Sequence, residues 1–454
     1  MQVFNRHVSG RGLTVFGFET MLISGSIFAA AAVHDSLPVA AGSMWRILFI
    51  TALCELCFYY NDLYDLTAVH PKNELLVHLL QGAGAAAITL GAVSVVMPGL
   101  IIGHGIFMTA LCVVLVAVPA WRLVFDGVAQ SRPLEEPVLI FGTGPLARTV
   151  ARQIEAQHDF AYRLVGFVRE SDADPADADI AIGGPSDLTT LIARYHVDRV
   201  VVSLSDRRGT LPIRELLQAK LSGVRVEDAA TTYERITGKI LIDGLKPSWL
   251  VFSDGFRASR GTRLVKRAVD LILAAVGLVA AAPLMLATAI AIRLESPGAV
   301  LYCQERVGEG GRTFTLCKFR SMRMDAENGT PIWAKEKDDR VTRVGRFIRL
   351  TRLDELPQLW NVLRGDMSFV GPRPERPFFV QKLAEAIPFY TERHSVKPGV
   401  TGWAQVKYRY GSSVEDAMEK LRYDLYYIKN LSILFDLSIV VDTVKVIVSG
   451  KGAK

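Results

Sequence analysis

Arg349-Leu350-Thr351-Arg352-Leu353-Asp354-Glu355-Leu356-Pro357-Gln358-Leu359-Trp360-Asn361-Val362-Leu363-Arg364-Gly365-Asp366-Met367-Ser368-Phe369-Val370-Gly371-Pro372-Arg373-Pro374 is the stretch from which the rest of this chain can be read. Two adjacent acids stand at the mouth of a short amphipathic segment and are bracketed by arginines. Neighbouring carboxylates repel, so something cationic must make the pair tolerable: the arginines, a bound metal, or both. Such a site suits phosphoryl chemistry, with a carboxylate as nucleophile or metal ligand and guanidinium groups cradling phosphate oxygens. Taken alone, an Asp-Glu at a helix start is more often a cap with favourable dipole charge. The surrounding sequence decides between the two.

At 454 residues the chain is expected to hold two or three domains. Half of its residues are hydrophobic, which fits a chain that is part bilayer and part cytosol. The net charge of +6 suits contact with anionic lipid surfaces or phosphorylated substrates. No nucleic-acid partner is expected, because the basic residues are spread out and flank apolar segments. The five cysteines form no framework, and Cys54 and Cys57 lie inside an apolar helix, where packing explains them better than redox or zinc chemistry.

Residues 1–126 read as a four-helix transmembrane domain. Leu13–Val33 is a near-continuous apolar run interrupted by Glu19, and further runs cover about Met44 to Tyr60, Leu75 to Met97 and Ile101 to Val124. Three more runs after the first argue against a signal peptide. Arg6, Arg11, Lys72, Arg122 and Arg132 fall on one side and Arg46 on the other, so the N-terminus and the segment after Val124 are expected to face the cytoplasm. Glu19 and Glu55 call for interhelix partners, an interfacial position or a function. Residues 137–254 read as a Rossmann-like αβ domain. Val138-Leu139-Ile140-Phe141-Gly142-Thr143-Gly144-Pro145-Leu146-Ala147 has the form of a buried strand, a glycine turn and a helix start. That fingerprint supports the fold more than it supports a bound cofactor. No Tyr is followed four residues later by Lys, so the usual dehydrogenase or epimerase proton relay is missing.

The segment Phe256–Val269 carries Arg257, Arg260, Arg263, Lys266 and Arg267 with no acid, and an uncharged run, Leu271–Ile292, follows. Its default reading is one more transmembrane helix. Two facts argue instead for a re-entrant hairpin over about 271–292. Pro283 sits near the middle, where it removes a hydrogen bond and bends a helix. A crossing would also place the arginine-rich phosphate site outside the cell, away from substrates that are ordinarily cytosolic.

From Lys266 onward, motifs recur in a fixed order: Lys266-Arg267-Ala268-Val269-Asp270, Ser296-Pro297-Gly298, Gln304-Glu305-Arg306-Val307-Gly308 and Lys318-Phe319-Arg320-Ser321-Met322. They continue through Asp339-Arg340, Gly345-Arg346, Leu353-Asp354-Glu355, Gly371-Pro372-Arg373-Pro374 and Lys397-Pro398-Gly399-Val400-Thr401-Gly402-Trp403-Ala404-Gln405. This pattern resembles the bacterial sugar transferases called polyprenyl-phosphate hexose-1-phosphate transferases, the monotopic phosphoglycosyl transferases. The N-terminal helices and αβ region resemble the long form of that family, found in exopolysaccharide and capsule clusters. The implied architecture is membrane α-helical plus α/β, with residues 260–454 as a mixed α/β catalytic domain.

The resemblance implies a two-step displacement at the cytoplasmic face of the bacterial inner membrane. The Asp354 carboxylate attacks a UDP-sugar, UMP leaves, and undecaprenyl phosphate then takes the sugar phosphate. Inner-membrane lipids are the setting, and the long-form architecture allows a homodimer. In the family a divalent ion is required, so Mg²⁺ is the implied cofactor, held by Glu355 together with Asp354. Asp354 is expected at a helix N-terminus whose first turn includes Pro357 and whose end is Gly365. Arg349 corresponds to a phosphate-contacting arginine of the family. Arg373, set between two prolines with Pro374 beside it, is expected to contact phosphate. Lys318 and Arg320 fit either the nucleotide site or lipid headgroups. Arg409 stands where the family often has Asn-Gly-Arg, with Lys407-Tyr408 in between. A covalent route needs no histidine, so His394 is expected to be structural. The tail, Leu421–Val448, alternates apolar runs with Asp424, Lys429, Asp436, Asp442 and Lys445, and reads as amphipathic helices lying on the membrane rather than another span. Nothing in the sequence distinguishes glucose, galactose or another sugar.

Overall fold

Four apolar helices come first: Gly10–Val33 (α1), Met44–Tyr60 (α2), Lys72–Val96 (α3) and His104–Gln130 (α4). The computed structural model describes residues 2–3, 6–7, 10–34, 44–61, 63–64, 72–100, 104–130, 135–156, 162–171, 180–203, 211–242, 253, 255–256, 259–323, 340–408, 411 and 413–448. The chain falls into two units, one of residue 1 and residues 7–232, the other of residues 2–6 and 233–454.

In the first unit the four helices close into a ring, α1 packing on α2 and α4, and α3 on α2 and α4. Ile23, Ile27, Ile47, Phe58, Leu79, Leu90 and Val118 fill its centre, while Met21, Leu48, Ile88 and Val116 are exposed on the outside. A bundle apolar both inside and out is built for hydrocarbon surroundings. By length and composition, four helical stretches among the described residues can cross a membrane: Thr14–Val33, Val77–Val96, Gly105–Arg122 and Arg260–Glu295. The expected span Met44–Tyr60 is a helix of 17 residues, at the short end of spanning length. Glu19 and Glu55 have interhelix partners. Arg122 donates through Nε to Glu19 Oε1 at 2.5 Å and through Nη2 to Oε2 at 3.2 Å, and the Thr20 hydroxyl donates to Glu55. Cys54 and Cys57 are buried, as packing predicts.

The same unit holds five strands, Glu136–Phe141 (β1), Tyr162–Val168 (β2), Ala181–Gly183 (β3), Arg199–Val202 (β4) and Arg225–Asp228 (β5). They form one all-parallel sheet in the order β3-β2-β1-β4-β5. Val138 to Phe141 are fully buried, which is why that strand reads as an unbroken apolar run. Gly142 adopts φ +110°, and a Cβ there would lie 2.0 Å from the Ser203 carbonyl oxygen, so only glycine closes this turn. Helix Pro145–Ala156 (α5) follows the turn, with Leu188–Tyr195 (α6) and Ile213–Leu221 (α7) further on.

The first helix that lies wholly in the second unit is Arg260–Glu295 (α8), capped by the Ser259 hydroxyl accepting from Thr262 N at 3.0 Å. Pro283 lies inside this helix, which is unbroken over its 36 residues, so the expected hairpin over about 271–292 is a single helix with no turn at Pro283. Asp270, Ala274, Thr288 and Ile292 are buried along it, while Leu271, Ile272, Val276, Val279, Leu286 and Ile290 are exposed. Both ends bond to the body of the unit. Arg267 donates to the Val362 and Leu363 carbonyls at 2.6 and 2.9 Å, and Glu295 Oε1 accepts from Arg343 N at 2.7 Å.

Strands Leu301–Val307 (β6) and Thr313–Phe319 (β7) form an antiparallel hairpin. Here one expectation is corrected: Cys303 and Cys317 stand directly opposite each other in register, 4.1 Å apart at Cα, and are joined by a disulfide. Their spacing of 14 residues does not reveal the register that brings them together. Helices Arg343–Leu350 (α9), Gln358–Arg364 (α10) and Pro377–Ala386 (α11) follow, and α8 and α10 pack on the parallel strand pair Ser368–Val370 (β8) and Gly399–Thr401 (β9). Trp403–Lys407 (α12), Val414–Lys429 (α13) and Ile433–Val448 (α14) complete the unit.

The tail also corrects the sequence reading. Asp424 is buried against Arg393, and Asp436 is buried against Lys266 Nζ at 2.6 Å and the Tyr427 hydroxyl at 2.8 Å. Leu421, Leu425, Tyr426, Tyr427 and Phe435 are core residues. The acids that suggested a wetted face are instead the buried halves of internal pairs. The apolar side chains of α14 still exposed are Leu434, Leu437, Val444 and Ile447.

Candidate active site

The Asp-Glu pair is presented by a reversal of the chain. Helix α9 starts at Thr342, whose hydroxyl accepts from Gly345 N at 2.9 Å, and ends at Thr351. Arg352 then takes the left-handed conformation, φ +59°, and turns the chain into a single 3-10 turn, Leu353–Glu355. The expected helix starts later than the acids: Pro357 is the residue before α10, and Asp354 lies on the separate turn ahead of it. Proline lacks the N–H that would carry an α-helical ladder across this junction. Gly365, at φ +96°, ends α10 as expected.

The two carboxylates have different surroundings. Glu355 Oε1 accepts from Arg373 Nη2 at 2.8 Å and lies 3.5 Å from Arg352 Nη1. Burial works against its charge, yet Arg373, Arg352 and the hydrogen bond overcome it and hold the carboxyl below its usual range. Asp354 is 6% exposed and has no hydrogen bond or ion-pair contact among the described residues. Burial, aided by Glu355, pushes its carboxyl up to about 6 against the pull of Lys318, Arg349 and Arg373. Lys318 is the reciprocal case: burial, with Arg306, Arg373 and Arg349, pushes its ammonium down to about 8 although Asp354 favours its charge.

Each cation is fixed from behind. Arg349 Nε donates to Ser321 Oγ at 2.9 Å. The Arg373 carbonyl accepts from Arg393 Nη2 at 3.0 Å, and the Pro374 carbonyl from Arg306 Nη1 at 3.1 Å. Arg393 is itself buried, bonded to Asp424 Oδ2 at 2.8 Å and to the Tyr390 hydroxyl at 2.8 Å. Asn361 ties α10 to β7, donating to the Thr315 carbonyl at 2.8 Å and accepting from Cys317 N at 3.4 Å, next to Lys318.

The structure thus brings Asp354, Glu355, Lys318, Arg349 and Arg373 together. Arg320 is occupied elsewhere. It donates to the Pro297 and Ser296 carbonyls at 2.8 and 2.9 Å and locks the end of β7 to the turn after α8. Arg409 lies outside the described residues. His394 is pushed down to about 4, chiefly by burial and then by Arg393, and is neutral at physiological pH. Arg306 and the Arg393–Asp424 pair carry no recognisable sequence signal for these roles, because their partners are backbone carbonyls or lie in other elements; Arg352, three residues before Glu355, is among the arginines that bracket the pair.

Among the described residues, no group of three or more His, Cys, Asp or Glu side chains is arranged as a metal cage. Asp354 and Glu355 nevertheless suit Mg²⁺, which is commonly held by one or two carboxylates, with water and substrate phosphate completing its shell.

Residues 261–450 match the family model described as bacterial sugar transferase. The chain is 44% identical over 241 residues to the UDP-N-acetylgalactosamine-undecaprenyl-phosphate N-acetylgalactosaminephosphotransferase of Aeromonas hydrophila, covering 53% of this chain and 56% of that protein. It is 36% identical over 325 residues to the undecaprenyl-phosphate glucose phosphotransferase of Komagataeibacter xylinus, covering 70% of this chain and 60% of the relative. The match to these two relatives therefore spans less than two thirds of their length. With the exopolysaccharide production protein PSS of Rhizobium leguminosarum bv. phaseoli it shares 40% identity over 196 residues, 42% of this chain and 98% of that protein.

Proposed function

The chain belongs to the bacterial sugar transferase family, and on that premise we propose that it moves a sugar 1-phosphate from a UDP-sugar to undecaprenyl phosphate, releasing UMP. The observation that carries this reading is the division of labour in the acid pair: Glu355 is clamped by arginines, whereas Asp354 is buried beside three cations with its oxygens uncommitted among the described residues. A carboxylate so placed is an activated nucleophile.

An Asp354 oxygen attacks the β-phosphorus of the donor. The bond from that phosphorus to the bridging oxygen breaks, and UMP leaves with the electron pair. The sugar phosphate is then held as an acyl phosphate on Asp354. An oxygen of undecaprenyl phosphate attacks the same phosphorus and returns the carboxylate. Lys318, Arg349 and Arg373 neutralise charge on the transferring phosphoryl group. Glu355, with Asp354, would hold Mg²⁺, which supplies charge neutralisation to the diphosphate. Splitting the transfer lets one site serve a soluble donor and a lipid acceptor in turn.

The reading requires the site to lie at the cytoplasmic face of the inner membrane, with both ends of α8 on that face. The bonds at both ends of α8 support this placement, since they join residues 267 and 295 to one unit. The exposed apolar face between them suits lipid. Names of relatives include both glucose and N-acetylgalactosamine transferases, and they connect the reaction to exopolysaccharide assembly.

The test is UMP release from a panel of UDP-sugars with Mg²⁺ and undecaprenyl phosphate, beside Asp354→Asn and Glu355→Gln. Lipid-dependent release from one donor, lost in Asp354→Asn, is expected. Release that survives in Asp354→Asn would remove the covalent route.

A further inference from the structure

The first turns of α8 bear directly on the backbone that carries Arg373. Asp270 is buried and commits both carboxylate oxygens to β8: Oδ2 accepts from the Ser368 hydroxyl at 2.8 Å and Oδ1 from Phe369 N at 3.0 Å. One turn earlier, Lys266 Nζ donates to the Val370 carbonyl at 3.1 Å, and the Tyr427 hydroxyl donates to the same oxygen at 3.1 Å. Lys266 also joins Asp436 at 2.6 Å and stands 4.0 Å from Asp270, so this cation serves both acids. All three residues of β8 are thus held from α8.

The chain after β8 has no slack. Gly371 N donates to the Thr401 carbonyl at 2.9 Å, the Pro372 carbonyl accepts from Gly399 N at 3.0 Å, and the Arg373 carbonyl accepts from Arg393. A Cβ on Gly371 would lie 2.3 Å from the Lys397 carbonyl oxygen, so the two backbones pass with no room for a side chain. Every residue from 368 to 373 is bonded, and at the end the Arg373 guanidinium meets Glu355 at 2.8 Å. The same turn of α8 holds the acids from the other side. Arg267 donates to the Val362 and Leu363 carbonyls of α10, the helix that starts just after the Asp354-Glu355 turn. The start of α8 is therefore a common reference for the acid pair and for the arginine.

We propose that Asp270 is a positioning residue for the phosphoryl transfer: by holding Ser368 and Phe369 it fixes where Arg373 stands beside Asp354 and Glu355, so the first turns of α8 set the charge at the reacting phosphorus. The inference rests on the phosphotransferase reading above. A neutral side chain could satisfy Phe369 N alone. The carboxylate makes two charge-assisted bonds to adjacent residues, which restrain the strand more strongly than neutral ones. Transfer chemistry rewards that restraint, since a misplacement of about 1 Å can cost about 10²-fold in rate.

The experiment measures UMP release by the full chain in nanodiscs with undecaprenyl phosphate, Mg²⁺ and the preferred UDP-sugar, each rate scaled to the folded fraction. It compares wild type, Asp270→Ala, Ser368→Ala and Arg373→Ala with the two doubles that join Arg373→Ala to each of the others. Lys318 and Arg349 remain in Arg373→Ala, which keeps its activity measurable. With Arg373 present, Asp270→Ala should lower kcat about tenfold and Ser368→Ala about threefold. Once Arg373 is alanine, neither change should cost more than about twofold. In Asp270→Ala the lower limb of the pH profile should also move to higher pH, because a displaced Arg373 no longer favours the ionised acids. Losses that multiply in the doubles, or single losses that vanish on scaling, would make Asp270 a fold residue only and leave the phosphotransferase intact. If Asp270→Ala does not fold, the Ser368→Ala pair decides by the same criterion. A wild type that releases UMP from none of a panel of UDP-sugars would remove both.

Discussion

The membrane bundle and the catalytic unit both bury carboxylates beside arginine, and they treat them differently. In the bundle, Glu19 is fully buried and both of its oxygens are taken by Arg122. In the catalytic unit, Arg393 and Asp424 form a similarly closed pair, and Glu355 is closed by Arg373, but Asp354 is left open among cations that approach without bonding it. Closed pairs hold a fold together, and breaking one strands a buried charge. An open carboxylate keeps the same electrostatic tension without spending it on the fold.

The largest test of this contrast is Asp354→Asn. UMP release should fall by at least about 10³-fold, because no other step in the route replaces the nucleophile. Folding should not suffer. Since the folded-state carboxyl lies above its ordinary value, its contribution to stability is present at low pH and lost as pH rises through about 6. The amide variant should therefore gain on wild type in unfolding temperature between pH 5 and pH 8. A large destabilisation at pH 8 would mean that Asp354 is a closed pair after all.

Glu19→Gln should show the opposite profile, a loss of about 3–5 kcal/mol in stability with residual activity following the folded fraction. Asp424→Asn should fall between these extremes. It uncouples Arg393, loosens the Arg373 carbonyl, and should lower both the unfolding temperature and kcat. An Asp424 variant that lost stability alone would separate that pair from the site.

The smallest effect is the pH profile of wild type. Activity should rise through about 6 as the acid pair ionises and Asp354 becomes nucleophilic, then fall through about 8 as Lys318 loses its proton. Lys318→Arg should move the upper limb to higher pH. The membrane side of the comparison is sharpened by cysteine labelling from outside intact cells. Positions after Ile292 should stay unlabelled, and modification there would overturn the proposal that both ends of α8 lie on the cytoplasmic face.

What could be read from the sequence follows this same division. Asp354, Glu355 and Arg373 were legible because they lie in one contiguous run, where charge spacing and flanking prolines dictate chemistry locally. Glu19 and Glu55 announced a need for partners, although nothing in a linear pattern names Arg122 or Thr20. Asp424 and Asp436 misled, because in a one-dimensional pattern an acid on an amphipathic helix looks the same whether it faces water or a buried cation. Arg320 likewise sits in a motif with Lys318, yet its guanidinium is spent on backbone carbonyls that no linear pattern connects to it. The disulfide was illegible for a related reason: register, not spacing, sets Cys303 against Cys317.

The two anchored ends of α8 set a schedule for biosynthesis. Arg267 cannot reach its acceptor on Leu363 until the ribosome has added 96 more residues. At roughly 5–20 residues per second that is on the order of 5–20 s. Once the helix is complete at Glu295, it waits through the rest of that interval without the unit it closes against, and its apolar face must be sheltered by the bilayer or by the insertion machinery. The membrane thus serves as a folding partner for the catalytic unit before it becomes the place where that unit works.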